Sequence, residues 1–240
     1  MSLVFITGAG RRIGKQLAIN FAKKGWDIAI NYNNSEYQAK ETMNICNSLG
    51  VKSRIYKADV SKKHEVVKAF EKSLEEMGIP DVLVNNAGIF PERTKLEDIT
   101  EELINNTFDI NLKGEFFTSQ YFSQHAKANS RIINIASLGA IEIWKGRLPY
   151  HISKSALLHM TRSLAIELAP DISVNSVCPG AIDIPEDPAE DSSLISIDKI
   201  PMKRYGTAED IFEAVYFFAT TTSYITGQNI IVDGGYHYSR

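Results

Sequence analysis

Short apolar runs alternate along this chain with longer stretches in which apolar residues recur every three or four positions. The short runs are rich in Val and Ile and bounded by Gly, Pro or Asn. They predict strands at Leu3 to Thr7, Asp27 to Tyr32, Lys52 to Ala58, Asp81 to Asn85, Arg131 to Ser137, Ser173 to Cys178 and Asn229 to Val232. Between the first two, IGKQLAINFAKKG sets Ile13, Leu17, Ala18, Phe21 and Ala22 on one helical face and ends at Gly25. In SKKHEVVKAFEKSLEEMG, Ser61 is the expected N-cap, Val67, Phe70, Leu74 and Met77 the expected buried face, and Gly78 the end. TAEDIFEAVYFFATT opens a further helix at a Thr207 cap. No repeat, linker or low-complexity tract interrupts the alternation. It predicts an α/β fold, one doubly wound parallel sheet of about seven strands in a single domain over residues 1–240, with ligands at the carboxyl ends of the strands.

Composition narrows the partner. The 240 residues are 44% hydrophobic and 23% charged, ordinary for a globular domain. A net charge of -3 argues against nucleic acid or an anionic membrane and for a small molecule. MSLVFITGAG has too short an apolar run for a signal peptide and no basic region before it, and no run is long enough to span a membrane, so a cytoplasmic location is expected. Cys46 and Cys178 have neither disulfide-framework nor zinc spacing, and the histidines at 64, 125, 151, 159 and 237 are scattered, so no metal is expected.

The first predicted strand runs into TGAGRRIG. Gly8 suits the tight turn and Gly14 the close packing of helix on sheet, which leaves N–H groups at the helix N-terminus for a pyrophosphate. An acid that would bind a ribose 2′-OH is expected about 20 residues on. Asn31, Tyr32, Asn33 and Asn34 stand there instead. A 2′-phosphate would meet no repelling carboxylate, and Arg11 can pair with it bidentately, so the loop points to NADP(H). Further on, Tyr150 and Lys154 are four apart and share a helix face, with Ser137 at a neighbouring strand end. An adjacent ammonium favours phenolate and makes tyrosine a usable acid, while serine can hold a substrate oxygen.

These residues resemble the short-chain dehydrogenases/reductases, classical type. The likeness covers nearly the whole chain: TGAGRRIG, Asp59-Val60, NNAG at 85 to 88, Asn111 in INLKG, Ser137, Tyr150-x-x-x-Lys154, Pro179-Gly180 and VDGG at 232 to 235. It implies a Rossmann fold and a Ser137, Tyr150, Lys154 and Asn111 tetrad, in which Asn111 interrupts a helix and holds a relay water. It implies that Asp59 binds the adenine, that Asn86 and Ala87 lie near the ribose, and that Lys154 grips the nicotinamide ribose. Ile13, Tyr32, Asn33, Val60, Gly88, Pro179, Gly180 and Ile182 would also line the cofactor. EFFTSQYF and the Tyr150 helix correspond to subunit-contact segments, implying a homodimer or homotetramer.

Departures from the pattern bear on substrate. Arg12 replaces a usual glycine, as in pteridine and dihydromonapterin reductases, and would reach both cofactor phosphate and a polar substrate. Phe90 stands where those reductases carry a stacking aromatic, and Arg240 resembles their terminal arginine. Ser137, where they commonly have aspartate, suits a carbonyl. INLKGEFF and PMKRYGTAEDI resemble 3-oxoacyl-carrier-protein reductases. Against an acidic carrier stand Asp183, Glu186, Asp187, Glu190 and Asp191 near the site entrance. Ile184 replaces a threonine that commonly touches the cofactor. The expectation is an NADPH-dependent reductase of a C=O group, with pterin reduction the alternative and a catalytically idle NADP(H) sensor a third reading from another class.

Overall fold

The computed structural model describes residues 2–184 and 195–239. Seven parallel strands form one sheet in the order β3-β2-β1-β4-β5-β6-β7. They are β1 (Leu3–Ile6), β2 (Asp27–Tyr32), β3 (Ser53–Lys57), β4 (Val82–Asn85), β5 (Ser130–Ile135), β6 (Ile172–Pro179) and β7 (Asn229–Val232). Most strands end a residue or so from the expected bounds. The departure that matters is β5, which stops at Ile135 and leaves Ser137 free to cap a short 3-10 turn, Leu138–Ala140.

Alternation along each strand splits the core into two layers. Val4, Ile6, Ile28 and Ile30 face α1 (Arg12–Lys23), α2 (Glu36–Ser48) and α7 (Ala208–Thr220). Leu3, Phe5, Ala29 and Leu83 face α3 (Lys63–Met77), α5 (Glu115–His125) and α6 (Leu148–Glu167). A further helix, α4 (Glu101–Phe108), continues through a π turn at Asp109–Gly114 into α5. Thr207 caps α7, as expected, and the structure adds a reciprocal bond from its N–H to Asp210, completing a capping box. No helix among the described residues is long and apolar enough to cross a membrane.

Two sequence expectations need correction, and one helix was not among those expected. Ser61 does not cap α3; its hydroxyl donates to Asp59 Oδ1 at 2.7 Å, and the helix begins two residues later after Lys62. The buried face of α3 is Val66, Ala69, Phe70 and Ser73, with Val67, Leu74 and Met77 on its flank. The small Ala69 and Ser73 lie against the sheet, where close approach outweighs side-chain hydrophobicity. α2 was not foreseen, because its buried residues are the small or polar Ala39, Thr42 and Cys46.

Strand order reverses between β1 and β4, and the candidate site residues lie at the carboxyl ends of the strands around that crevice.

Candidate active site

Bare backbone builds the β1–α1 turn. Gly8 has φ +61, and a Cβ there would lie 2.9 Å from Ala87 Cα; one on Gly14 would lie 2.5 Å from the Gly8 carbonyl oxygen. The turn is tied from two sides. Asn86 Nδ2 donates to the Thr7 carbonyl at 2.9 Å, while the Thr7 hydroxyl accepts from the Asn86 and Ala87 N–H groups at 2.9 Å each. Asn31 is buried, accepts from Gly8 N–H at 3.2 Å and donates to the Ala58 carbonyl at 3.1 Å. It braces the loop and is not open to a ligand.

Arg11, Arg12 and Asn33 are exposed at this end. Gly10 packs against Ser35, where a Cβ would come within 2.5 Å of the hydroxyl oxygen, so the two arginines sit beside the β2–α2 turn. Arg12 carries φ +55, the left-handed backbone of the glycine it replaces. The Tyr32 and Val60 side chains pack into the protein. Tyr32 is buried in the core layer of α1 and α2, and the Val60 side chain fills the space beside Gly114, where a Cβ would be 2.8 Å from its Cγ2. Both are held largely by apolar packing. Asp59 uses Oδ1 for Ser61. Ile13 is half-buried against the core.

At the neighbouring strand ends, Ser137 and Tyr150 converge on Gly139. A Cβ on Gly139 would lie 3.1 Å from Tyr150 Cε1 and 3.3 Å from Ser137 Oγ, with Trp144 Cζ3 at 3.0 Å. Ser137 Oγ accepts from Gly139 N–H at 3.0 Å, which leaves its own proton available to donate. Phe90 meets the Tyr150 ring edge-on at 4.5 Å, and the Arg147 guanidinium covers it at 4.0 Å. Neither Gly139 nor Arg147 stood out in the sequence, where small and basic residues in a loop have no periodicity to mark them.

Lys154 is buried and turned into the sheet, its Nζ donating to the Ile135 carbonyl at 2.8 Å and to Glu115 Oε1 at 3.1 Å. Asn111 sits in the π turn; its amide donates to the Ile89 carbonyl at 3.0 Å and to Ser153 Oγ at 3.2 Å and accepts from Ile89 N–H at 2.8 Å. Gly88 is exposed between these two, where a Cβ would lie 3.3 Å from Asn111 Oδ1 and 3.6 Å from Lys154 Nζ. At the far end of the crevice, Gly180 presses on Asp233, Pro179 is buried, and Ile182 bridges to Gly206. Ile184 is buried and Asp183 exposed, while Glu186, Asp187, Glu190, Asp191 and Arg240 lie outside the described residues.

A glycine-lined cradle with exposed cations at one end and a tyrosine, a serine and a lysine at the other fits a dinucleotide and its redox partner. This defines a nucleotide-dependent α/β oxidoreductase. The sequence profile described as Enoyl-(Acyl carrier protein) reductase matches residues 8–237. An uncharacterized oxidoreductase of Thermotoga maritima is 37% identical, the match covering 97% of this chain and 96% of that one. A 3-oxoacyl-[acyl-carrier-protein] reductase of Staphylococcus epidermidis is 35% identical, over 96% of each. A short chain dehydrogenase from Burkholderia cenocepacia, solved in complex with NADP, superposes with a TM-score of 0.92 at 31% identity, covering 98% of both chains. The chain belongs to the short-chain dehydrogenase/reductase family of oxidoreductases.

Proposed function

We propose that the chain is an NADPH-dependent reductase that converts the carbonyl of a ketone or 3-oxoacyl-type substrate to an alcohol, with Tyr150 as proton donor. The convergence of Ser137 and Tyr150 on Gly139 carries this reading: the serine hydroxyl and the tyrosine ring meet at one position, as a pair that shares a substrate oxygen must. Ser137 donates to that oxygen, and Tyr150 gives it a proton. Lys154 favours the resulting phenolate, and Asn111 holds Ile89 and Ser153 in register and supplies the relay toward solvent. The cofactor, when bound, supplies hydride. Exposed Arg11, without a carboxylate at the end of β2, supports NADP(H), as does the NADP complex of the Burkholderia relative. The Staphylococcus relative supports a 3-oxoacyl substrate class.

Pterin reduction is less well supported. Phe90 stands beside Tyr150 as a stacking platform would, but Arg147 already covers its ring. A silent sensor has no reason to keep Tyr150 and Lys154 together. Ile104, Phe116, Leu148 and Ile152 are exposed on α4, α5 and α6, which supports a homodimer or homotetramer through these faces.

NADPH oxidation measured side by side on an acetoacetyl thioester, a simple ketoester and a dihydropterin, with NADH as control, tests the reading. Turnover on the carbonyl substrates with NADPH is expected. Turnover confined to the dihydropterin would overturn it.

A further inference from the structure

We propose that Glu115 is a positioning residue for the proton step, holding Lys154 Nζ against the sheet and setting, through its own charge, how strongly that ammonium acidifies Tyr150. The inference rests on the Tyr150 and Lys154 roles proposed above. Glu115 opens α5 directly after the π turn, and its residue is 2% exposed. Lys154, 4% exposed, reaches it from α6 at 3.1 Å, one helical turn from Tyr150. A buried ion pair is a weak means of stabilising a fold, since desolvation offsets most of its attraction. Its position beside a reacting group gives it a use.

The second carboxylate oxygen, Oε2, is buried without a hydrogen-bond partner. An ionised Glu115 is therefore only half satisfied, and burial pushes its carboxyl up to about 8 despite the pull of Lys154. Its charge thus changes in the working range of pH. Few other charges bear on the pair. β4 and β5 bring the amides Asn85 and Asn134, α5 itself brings Thr118 and Ser119, and α6 brings Ser153 and Tyr150. Cys178 of β6 also lies within the field of Lys154, with burial pushing its thiol up to about 11. In the π turn, Asp109 and Lys113 pair with each other at 2.6 Å, and Glu65 of α3 accepts from Asp59 N–H at 2.9 Å. Lys154 is the cation through which Glu115 acts.

The sign follows from charge. Neutral Glu115 leaves the ammonium unopposed and Tyr150 more acidic; ionised Glu115 cancels much of that field. A unit charge across ~10 Å at an effective dielectric of ~20 corresponds to about one pH unit in the partner's titration. The test is an ultraviolet phenolate difference titration of the NADP+ complex, comparing wild type with Glu115→Gln and each with its Tyr150→Phe counterpart. Circular dichroism and NADPH fluorescence check folding, and Glu115→Ala serves as the second variant. The Tyr150 step should fall about one pH unit lower in Glu115→Gln than in wild type. An unchanged or higher midpoint in a folded variant overturns the proposal and leaves the Tyr150 role standing. A wild type without any Tyr150-dependent step overturns both.

Discussion

Gly139→Ala probes the point where Ser137 and Tyr150 meet. Gly139 has ordinary backbone, so the substitution acts only through its new methyl group. That Cβ would lie 3.0 Å from Trp144, 3.1 Å from Tyr150 and 3.3 Å from Ser137 Oγ. Ordinary carbon contacts begin at about 3.5 Å, so the two rings must each retreat by several tenths of an ångström. Tyr150 is braced by Phe90 at 4.5 Å and Trp144 by His151 at 5.4 Å, so the displacement spreads through the pocket. Overpacking of this kind costs about 1–3 kcal/mol of stability, a fall of several degrees in Tm at ~2–4 °C per kcal/mol. The fold survives. Misplacing an acid relative to a substrate oxygen is more damaging, and kcat should fall about 10- to 100-fold, or ~1.4–2.7 kcal/mol of barrier. The assay is NADPH-dependent ketone reduction, with NADPH affinity from fluorescence and Tm from calorimetry. NADPH affinity should fall less than kcat, because most of the cradle, from the β1–α1 turn to the exposed arginines, lies away from Gly139. Wild-type kcat in folded Gly139→Ala would refute the convergence of Ser137 and Tyr150 on this position.

Other perturbations separate the parts of the site. At Arg12, held at φ +55, alanine should be less stable than glycine by about 1 kcal/mol, because only glycine adopts that backbone freely; equal Tm values would remove the left-handed assignment. Arg11→Ala should weaken NADPH far more than NADH in equilibrium binding, and equal losses would remove its 2′-phosphate contact. Hydrogen bonds from Arg204 at 2.7 and 2.8 Å hold the Asp210 carboxyl well below its ordinary value of 3.8. A lowered native value means stability that is present above about pH 4 and is lost as the pH falls below it. Denaturant unfolding at several acid pH values should therefore show a shallower acid loss in Asp210→Asn, and identical slopes would refute the pairing.

Where sequence and structure agree, the signal was local. Central strands such as β1 and β4 could be read because parallel strands covered on both faces are continuous apolar runs, and the Thr207 cap because a threonine before an apolar-periodic stretch is a local signal. α2 was hidden by its small and polar inward residues, and Ser61 by a competing bond to Asp59. Tyr150, Lys154 and Ser137 were legible as a spaced constellation. Glu115 was not, since within GEFF a glutamate has the look of a solvated charge, and only the folded chain brings Lys154 across from another helix to meet it.

The most direct test of the account is turnover of a carbonyl substrate with NADPH by wild type and Tyr150→Phe, alongside NADPH affinity for each. Loss of a general acid should reduce kcat by about 10²- to 10⁴-fold with the NADPH dissociation constant unchanged. Wild-type turnover in Tyr150→Phe would contradict the assignment of Tyr150 as the proton donor, and with it the chemistry proposed for this site.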